Sequence, residues 1–340
     1  MRYYSITITN PKTGEMVVPP VFKDAKLDAS YTSYVNGQTI PGALNLEMDM
    51  SIVALGLPEG GTTPFIRLWG VTLYEISQAN ELNGMAIQVF GGMQKGLPLA
   101  NPKQAGLLFQ GYIFQAFGNW IGTEMTMDIV LSAFPTKSTP SATPLTFPPN
   151  LTLDWKKGTN LSDALKQTLT SAYPSFKAPT ISINKDVVAP EDIKGYYTDT
   201  TELSQFVKAR SAEIVGGDYA GVDIAVKQGS FSVYDGSSQT APKHLEYRDL
   251  IGQPTWIQPA TMQAKFVMRS DIAVGDFIKF PKSAVISSAQ SVSPFVNQRL
   301  TFQGSFFVQR VRHVGNYRQA DGNSWVTIVD ASTQPVAVTQ

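Results

Sequence analysis

The chain has 340 residues with 27 basic and 27 acidic side chains, and charged residues make up 16% of it, against about 25% in typical soluble proteins. This length predicts two or three domains, and the even charge balance gives no sign of a general nucleic-acid binder. The absence of cysteine excludes disulfides, thiolate nucleophiles and cysteine-ligated metal sites.

Residues 1–133 are predicted to form antiparallel β structure. In residues 43–52, ALNLEMDMSI, apolar side chains alternate with polar ones, which places one row in a core and the other in water. Residues 123–132 repeat the pattern, and residues 2–9 do so more weakly. The first ten residues lack the apolar core of a signal peptide, and no apolar run reaches the ~18 residues of a membrane span. We therefore expect synthesis in the cytoplasm and no membrane association.

Residues 134–150, FPTKSTPSATPLTFPPN, contain five prolines and are predicted to be a stiff linker. Residues 151–248 have an ordinary density of charge and the clearest helix signals. One helix is expected after Asn160, with leucines at four-residue spacing, and a second after Asp199, where Glu202 completes a variant capping box. With short strands around them, these helices predict a small α+β domain.

Residues 249–340 are again poor in charge and are predicted to be β structure. They also repeat short sequence motifs of residues 1–133 in the same order. The matching positions are Phe109, Gln110 and Gly111 with Phe302, Gln303 and Gly304, then Gly118-Asn119-Trp120 with Gly315-Asn316-Tyr317. An ordered repeat indicates duplication. We therefore expect a mainly β fold in which two related antiparallel β-barrels, residues 1–133 and 249–340, flank the α+β domain.

The residues that could carry chemistry are few. His244 and His313 are the only histidines, and we expect the arginines beside His313 to disfavour its protonation. No G-x-S-x-G elbow occurs, and the Gly-rich residues 91–96 lack the G-K-[ST] ending of a phosphate loop. Acids such as Asp218 and Asp223, or Glu47 and Asp49, are expected to be solvated. The sequence predicts no catalytic residue, no cofactor and no metal site.

Four stretches resemble the baseplate hub proteins of contractile-tailed bacteriophages, including Mu-like phages, and the base of type VI secretion spikes. They are PGALNLEMDM (41–50), GVTLYEISQANELNGMAIQVFGGMQKGLPLANPKQAGLLFQGYIFQAFGNW (70–120), LTLDWKKGTNLSDALKQTL (151–169) and DLIGQPTWIQPATMQAKFVMRSDIAVGDFIKFP (249–281). The resemblance implies a homotrimeric, pseudo-sixfold ring in the virion tail, made in the host cytoplasm. It also implies the tail tube or its initiator, the central spike and baseplate wedge proteins as partners.

DNA is expected to pass through such a ring without specific binding, so we expect a neutral or acidic channel wall, because several basic groups would hold phosphates tightly. Two alternatives stay open. One is a carbohydrate-binding protein, which Trp69, Trp120, Trp155 and Trp325 arranged along one groove would favour. The other is a cell-wall hydrolase that uses a pair of the scattered acids.

Overall fold

The computed structural model covers most of the chain. It describes residues 1–20, 27–56, 63–93, 104–135, 150–237, 241–258, 260–281, 302 and 304–333. Residues 136–149 of the predicted linker, residues 94–96 of the Gly-rich stretch and Gln303 lie outside the described residues.

The first part of the chain is built almost entirely of strands, as the alternating pattern predicts. The strands are β1 (Arg2–Thr9), β2 (Tyr31–Thr32), β3 (Tyr34–Val35), β4 (Gln38–Thr39), β5 (Asn45–Val53), β6 (Phe65–Trp69), β7 (Ala86–Met93), β8 (Gly106–Ile121) and β9 (Glu124–Ser132). A short helix, α1 (Leu73–Ser77), and a 3-10 turn at Ala79–Leu82 separate β6 from β7. Helix α1 was not predicted from the sequence.

The middle part contains the two predicted helices, α2 (Leu161–Ala172) and α3 (Thr200–Val215). Asp199 accepts the amide of Glu202 at 2.8 Å and caps α3 as predicted. The predicted capping box does not close, because the Glu202 carboxylate accepts from the backbone amide of Thr198 at 2.9 Å. Asn160 occupies the capping position of α2, but its side chain makes no capping hydrogen bond. The strands here are β10 (Leu151–Trp155), β11 (Lys177–Ser182), β12 (Ile193–Tyr197), β13 (Asp223–Lys227) and β14 (Ser230–Tyr234). Within the described ranges, no helix is long and apolar enough to span a bilayer.

The last part returns to β structure and places a 3-10 turn at Tyr247–Asp249. Its strands are β15 (Lys243–His244), β16 (Thr255–Gln258), β17 (Thr261–Val267), β18 (Phe277–Lys279), β19 (Ser305–Asn316) and β20 (Trp325–Thr333). The chain is therefore mainly β, as predicted.

Strands from the two ends of the chain have the same order in space. In what we call the first unit the order is β7-β8-β9-β6-β5, and in the second unit it is β18-β19-β20-β17-β16. β8 has one extra residue opposite β9, between Ile113 and Gln115, and β19 has one opposite β20, between Val308 and Arg310. The two units thus share both their strand order and the place of a β-bulge.

The units are joined through their backbones into one 13-stranded sheet. β19 of the second unit pairs antiparallel with β5 of the first, from Arg310 opposite Val53 to Asn316 opposite Glu47. We call this pairing the inner seam. The sequence did not predict it, because residues so far apart in the chain leave no local pattern of their contact.

Three hydrophobic clusters support these elements. The first lies under the first unit and also takes in Trp325 of β20. The second lies under the second unit around Phe266 and Phe306. The third joins α2, α3 and the strands of the middle part around Trp155 and Phe231. Each cluster holds side chains that are completely buried, which is where the hydrophobic effect stabilises the fold most.

Candidate functional surface: the charged face of the sheet

One face of the 13-stranded sheet carries a row of charged side chains, and we call it the charged face. Because strand residues alternate between faces, the pairing in the sheet decides which side chains meet. Across six neighbouring strands, the pairing brings four acids and four bases to one side. They are Glu47, Asp49, Asp128 and Asp330, with Arg67, Lys265, Arg310 and Arg312. The formal charges of these eight residues cancel, and Glu124 at the start of β9 adds one acid to the same side.

At the inner seam the charges of the two units meet directly. Arg312 of β19 donates from Nε to Oδ1 of Asp49 at 2.7 Å and from Nη2 to Oδ2 of the same carboxylate. These hydrogen bonds raise the pKa of the Arg312 guanidinium. This bidentate geometry fixes the relative position of the two side chains, which a single hydrogen bond would not do.

A second bidentate ion pair lies on the first unit. Arg67 donates from Nε to Oδ1 of Asp128 and from Nη2 to Oδ2 at 2.9 Å. Asn119 adds a third donor to Oδ2 at 3.1 Å, and hydrogen bonding to Asp128 raises the pKa of Arg67. The guanidinium also lies 5.6 Å from the ring centroid of Trp69, within range of a cation–π contact.

The second unit continues the row. Arg310 lies 3.7 Å from the carboxylate of Asp330, which also accepts from Gln263 at 2.8 Å. Lys265 donates to the amide oxygen of Asn323 at 2.9 Å. The three arginines of this face are therefore paired with carboxylates of the same chain, whereas the partner of Lys265 is a neutral amide.

The opposite face of the same strands is apolar and buried, and it holds His313. The ring of His313 is 2% exposed and its Nδ1 lies 3.0 Å from the hydroxyl of Thr327. Burial lowers the pKa of His313 to about 4. The expected direction is therefore correct, but its cause is not the neighbouring arginines. Because side chains alternate between the two faces of β19, Arg310 and Arg312 lie on the charged face and His313 lies in the core.

The residues that mark the sequence repeat lie on or beside corresponding strands. Phe109, Gln110 and Gly111 are in β8, and Phe302 and Gly304 immediately precede β19. Aligning the two β-bulges pairs Phe109 with Gly304, an offset of two residues from the sequence match. A shift of two keeps every side chain on the same face, so the alternating pattern alone does not distinguish the two alignments.

The acids considered for catalysis are placed apart. Asp218 is exposed, as expected. Asp223 was expected to be solvated but is mostly buried, and it accepts from Lys208 Nζ at 2.8 and 3.1 Å. Burial raises the pKa of Asp223, and Lys208 opposes that shift. Glu47 and Asp49 belong to the charged face. In the part of the chain that the structure describes, no group of three or more metal-ligating side chains forms.

The tryptophans do not form the groove that a carbohydrate-binding protein would use. Trp155 is 1% exposed and Trp325 is 2% exposed, in different hydrophobic clusters, while Trp120 is 63% exposed at the end of β8. Two of the four rings are therefore closed to any sugar.

The charged face as a unit was not predicted from the sequence. Glu47, Asp49, Arg310 and Arg312 were considered separately, and Asp128 only as a polar position of a strand. The available signal was the charge at alternate positions of β5, β9 and β19. That signal becomes a surface only when the strand order is known.

Comparison with known proteins gave matches in structure only. No family model matches the sequence, and no curated protein does. A tail protein of Neisseria meningitidis MC58 aligns with a TM-score of 0.47 and 11% identity over 97% of this chain and 96% of its own. The 43 kDa tail protein of prophage MuSo2 from Shewanella oneidensis gives 0.47 and 10% over 96% of each. A PdpA–VgrG complex gives 0.41 and 9% over 98% of this chain and 65% of that one. The structural neighbours are thus tail proteins and VgrG complexes.

Proposed function

We propose that the protein is the structural hub of a contractile phage tail baseplate. Three copies would form a ring of six related β-barrels that adapts the sixfold tail tube to the threefold central spike. The observation that carries this proposal is the inner seam. One chain holds two units of the same strand order, joined edge to edge, and three such chains supply six units for a closed ring. The sequence resemblance to hub proteins supports the same function.

The domains of this hub follow the sequence boundaries. We assign residues 1–133 and 249–340 to the two barrels, 134–150 to the linker and 151–248 to a peripheral α+β domain. The end of that middle segment contributes β15, which pairs with β18 of the second barrel. The separate hydrophobic cluster of α2 and α3 supports that division. The barrels would have arisen by duplication. The strand order and the β-bulge position that the two units share support this. Partners in the virion would be the tube or its initiator, the spike and the wedge proteins.

The charged face would line the channel through which DNA passes. A wall of isolated arginines would hold the duplex, since each phosphate contact releases counterions and strengthens binding. Here the three arginines have acidic partners on the same face, which supports passage without retention. The apolar face of the same strands is already covered by the chain's own clusters.

The assembly is tested by the mass of the purified protein in solution, with tube and spike proteins added afterwards. We expect about 111 kDa, three times the 37.0 kDa chain, and ring-shaped particles with six lobes in electron micrographs. The ring should bind tube protein and spike protein at opposite ends. A stable monomer that binds neither would refute the hub.

The channel wall is tested by removing its acids. Asp49→Asn with Asp128→Asn adds two net positive charges to the charged face, and we expect such rings to retain duplex DNA in a salt-dependent way. Glu213→Gln with Asp218→Asn makes the same charge change on exposed positions of the middle part. Equal DNA retention by both variants, or tight retention by the unmodified ring, would argue against the channel assignment.

A further inference from the structure

An apolar cavity of about 300 Å³ lies where the two units and the middle part of the chain meet. Side chains of all three hydrophobic clusters form its walls. They are Leu108, Phe109 and Leu131 of the first cluster, Val274 and Val311 of the second, and Val226 of the third. All of these side chains are buried. A molecule bound in the cavity would therefore contact all three clusters.

His313 also lines this cavity, on the same face of β19 as Val311. Its Nδ1 lies 3.0 Å from the hydroxyl of Thr327, and the other partners of that hydroxyl decide which ring nitrogen carries the proton. The hydroxyl accepts from the amide of Arg269 at 2.9 Å and donates its only proton to the carbonyl of Arg269 at 3.1 Å. It can therefore only accept from His313, so Nδ1 carries the proton and Nε2 carries a lone pair.

The lone pair of His313 Nε2 has no hydrogen-bond partner among the residues that the structure describes. The ring is 2% exposed, and burial lowers its pKa to about 4, so the imidazole is neutral at physiological pH. A buried polar atom costs free energy until it is paired. The cavity thus combines apolar walls with an unused acceptor, and an apolar ligand with one N–H or O–H donor would satisfy both.

The volume of the cavity limits the size of that ligand. An apolar cavity of about 150 Å³ holds one benzene molecule, so about 300 Å³ suits a molecule of two fused rings. The volume also lies at the lower end of the about 300–1,000 Å³ of small-molecule pockets. It is too small to enclose a folded segment of another protein, which favours a small molecule as the occupant.

We propose that this cavity binds a small aromatic molecule of two fused rings with a single N–H or O–H donor, of the class of indole and the naphthols. His313 Nε2 accepts the hydrogen bond from that donor, and the apolar walls enclose the rings. The site lies within one chain, so it goes beyond the proposed hub function and does not depend on the ring. Because the ligand contacts both units and the middle part, its binding should raise the unfolding temperature of the protein.

Indole and indene test the site as a matched pair, because indene has nearly the same shape and lacks the N–H group. In calorimetric titrations, the natural protein should bind indole about fivefold to tenfold more tightly than indene. His313→Leu removes the acceptor, and the two probes should then bind equally. Val311→Phe places a ring in the cavity and should weaken both probes by about tenfold or more. His244→Leu, at an exposed position of β15, should change neither affinity. Circular dichroism establishes that each variant is folded.

Nitrogen NMR of the histidine rings gives a readout on the natural protein, since the chain has only two histidines. Indole should shift the Nε2 resonance of His313, indene should leave it nearly unchanged, and the resonances of His244 should stay in place with both probes. Equal affinity of the natural protein for indole and indene, or an Nε2 resonance that indole does not move, would overturn recognition by His313. Failure of both probes to bind at millimolar concentration would overturn the site itself.

Discussion

Acidification should destabilise the fold through His313, whose buried ring must take up a proton to become charged. In the unfolded chain the imidazole has its ordinary pKa of about 6.5, whereas burial lowers the pKa of His313 to about 4 in the folded chain. Below about pH 6.5 the unfolded chain therefore binds a proton that the folded chain does not. Stability falls as the pH drops from about 6.5 towards 4.

The size of this effect follows from the pKa difference. Each pKa unit corresponds to about 1.4 kcal/mol, so the contribution of His313 reaches about 3 kcal/mol at pH 4. The ring is 2% exposed, and solvent therefore screens this energy little. The loss is a substantial part of the about 5–15 kcal/mol by which domains are usually stable.

Urea unfolding at pH 7, 6, 5 and 4 would measure the effect against His313→Gln, which cannot take up the proton. The difference in unfolding free energy between the two proteins should shift by about 3 kcal/mol across this range in favour of the variant. His244→Gln, at an exposed position of β15, should keep the pH dependence of the natural protein. A constant difference between the natural protein and His313→Gln would refute the reasoning.

Three substitutions test the packing of the fold. Gly118→Val should destabilise the first unit by about 1–3 kcal/mol, because even a Cβ there would lie 2.4 Å from the side chain of Ile76. Arg269→Met should cost about 3–5 kcal/mol, since it leaves Asp249, which is 5% exposed, without its cation at 3.1 Å. Leu165→Ala should cost about 2–5 kcal/mol, because this side chain of α2 is fully buried. Chemical denaturation measures all three.

Each substitution has a control at an open position. Gly42→Ala meets no atom within 4 Å, Arg248→Met removes an exposed ion-pair partner, and Lys166→Ala shortens an exposed neighbour on α2. These three should change stability by less than about 0.5 kcal/mol. A control as damaging as its partner substitution would show that the contact invoked does not explain the loss.

Local patterns in the sequence predicted most elements, as β5 illustrates. Its apolar residues Leu46, Met48 and Met50 are buried, and Glu47 and Asp49 face the other way. The helices α2 and α3 were likewise visible, since leucine spacing and the Asp199 cap are local features.

Helix α1 was missed because five residues are too short for a helical period to appear. Its remaining signal was the capping box of Thr72 and Glu75, whose side chain and backbone groups bond reciprocally.

The candidate surface could be predicted only in pieces. Asp49 and Arg312 were each visible, but their contact depends on the pairing of β5 with β19, and neither strand specifies its partner. The same limit applies to the repeat, because the matching sequence motifs predict one alignment of the two units and the β-bulges give another, two residues away. Long-range pairing is decided by the whole fold, and a single sequence records it weakly.

The inner seam also sets an order on events during synthesis. Asp49 and Arg312 are separated by 263 positions. β19 can therefore pair with the edge of β5 only after nearly the entire chain has left the ribosome. Contacts this distant form late and slowly, and domains generally fold in the order in which they are made. A chain cut short before β19 would keep this edge of β5 uncovered and lack β19 and β20 of the second unit. Completion of translation thus becomes a condition for closing the inner seam.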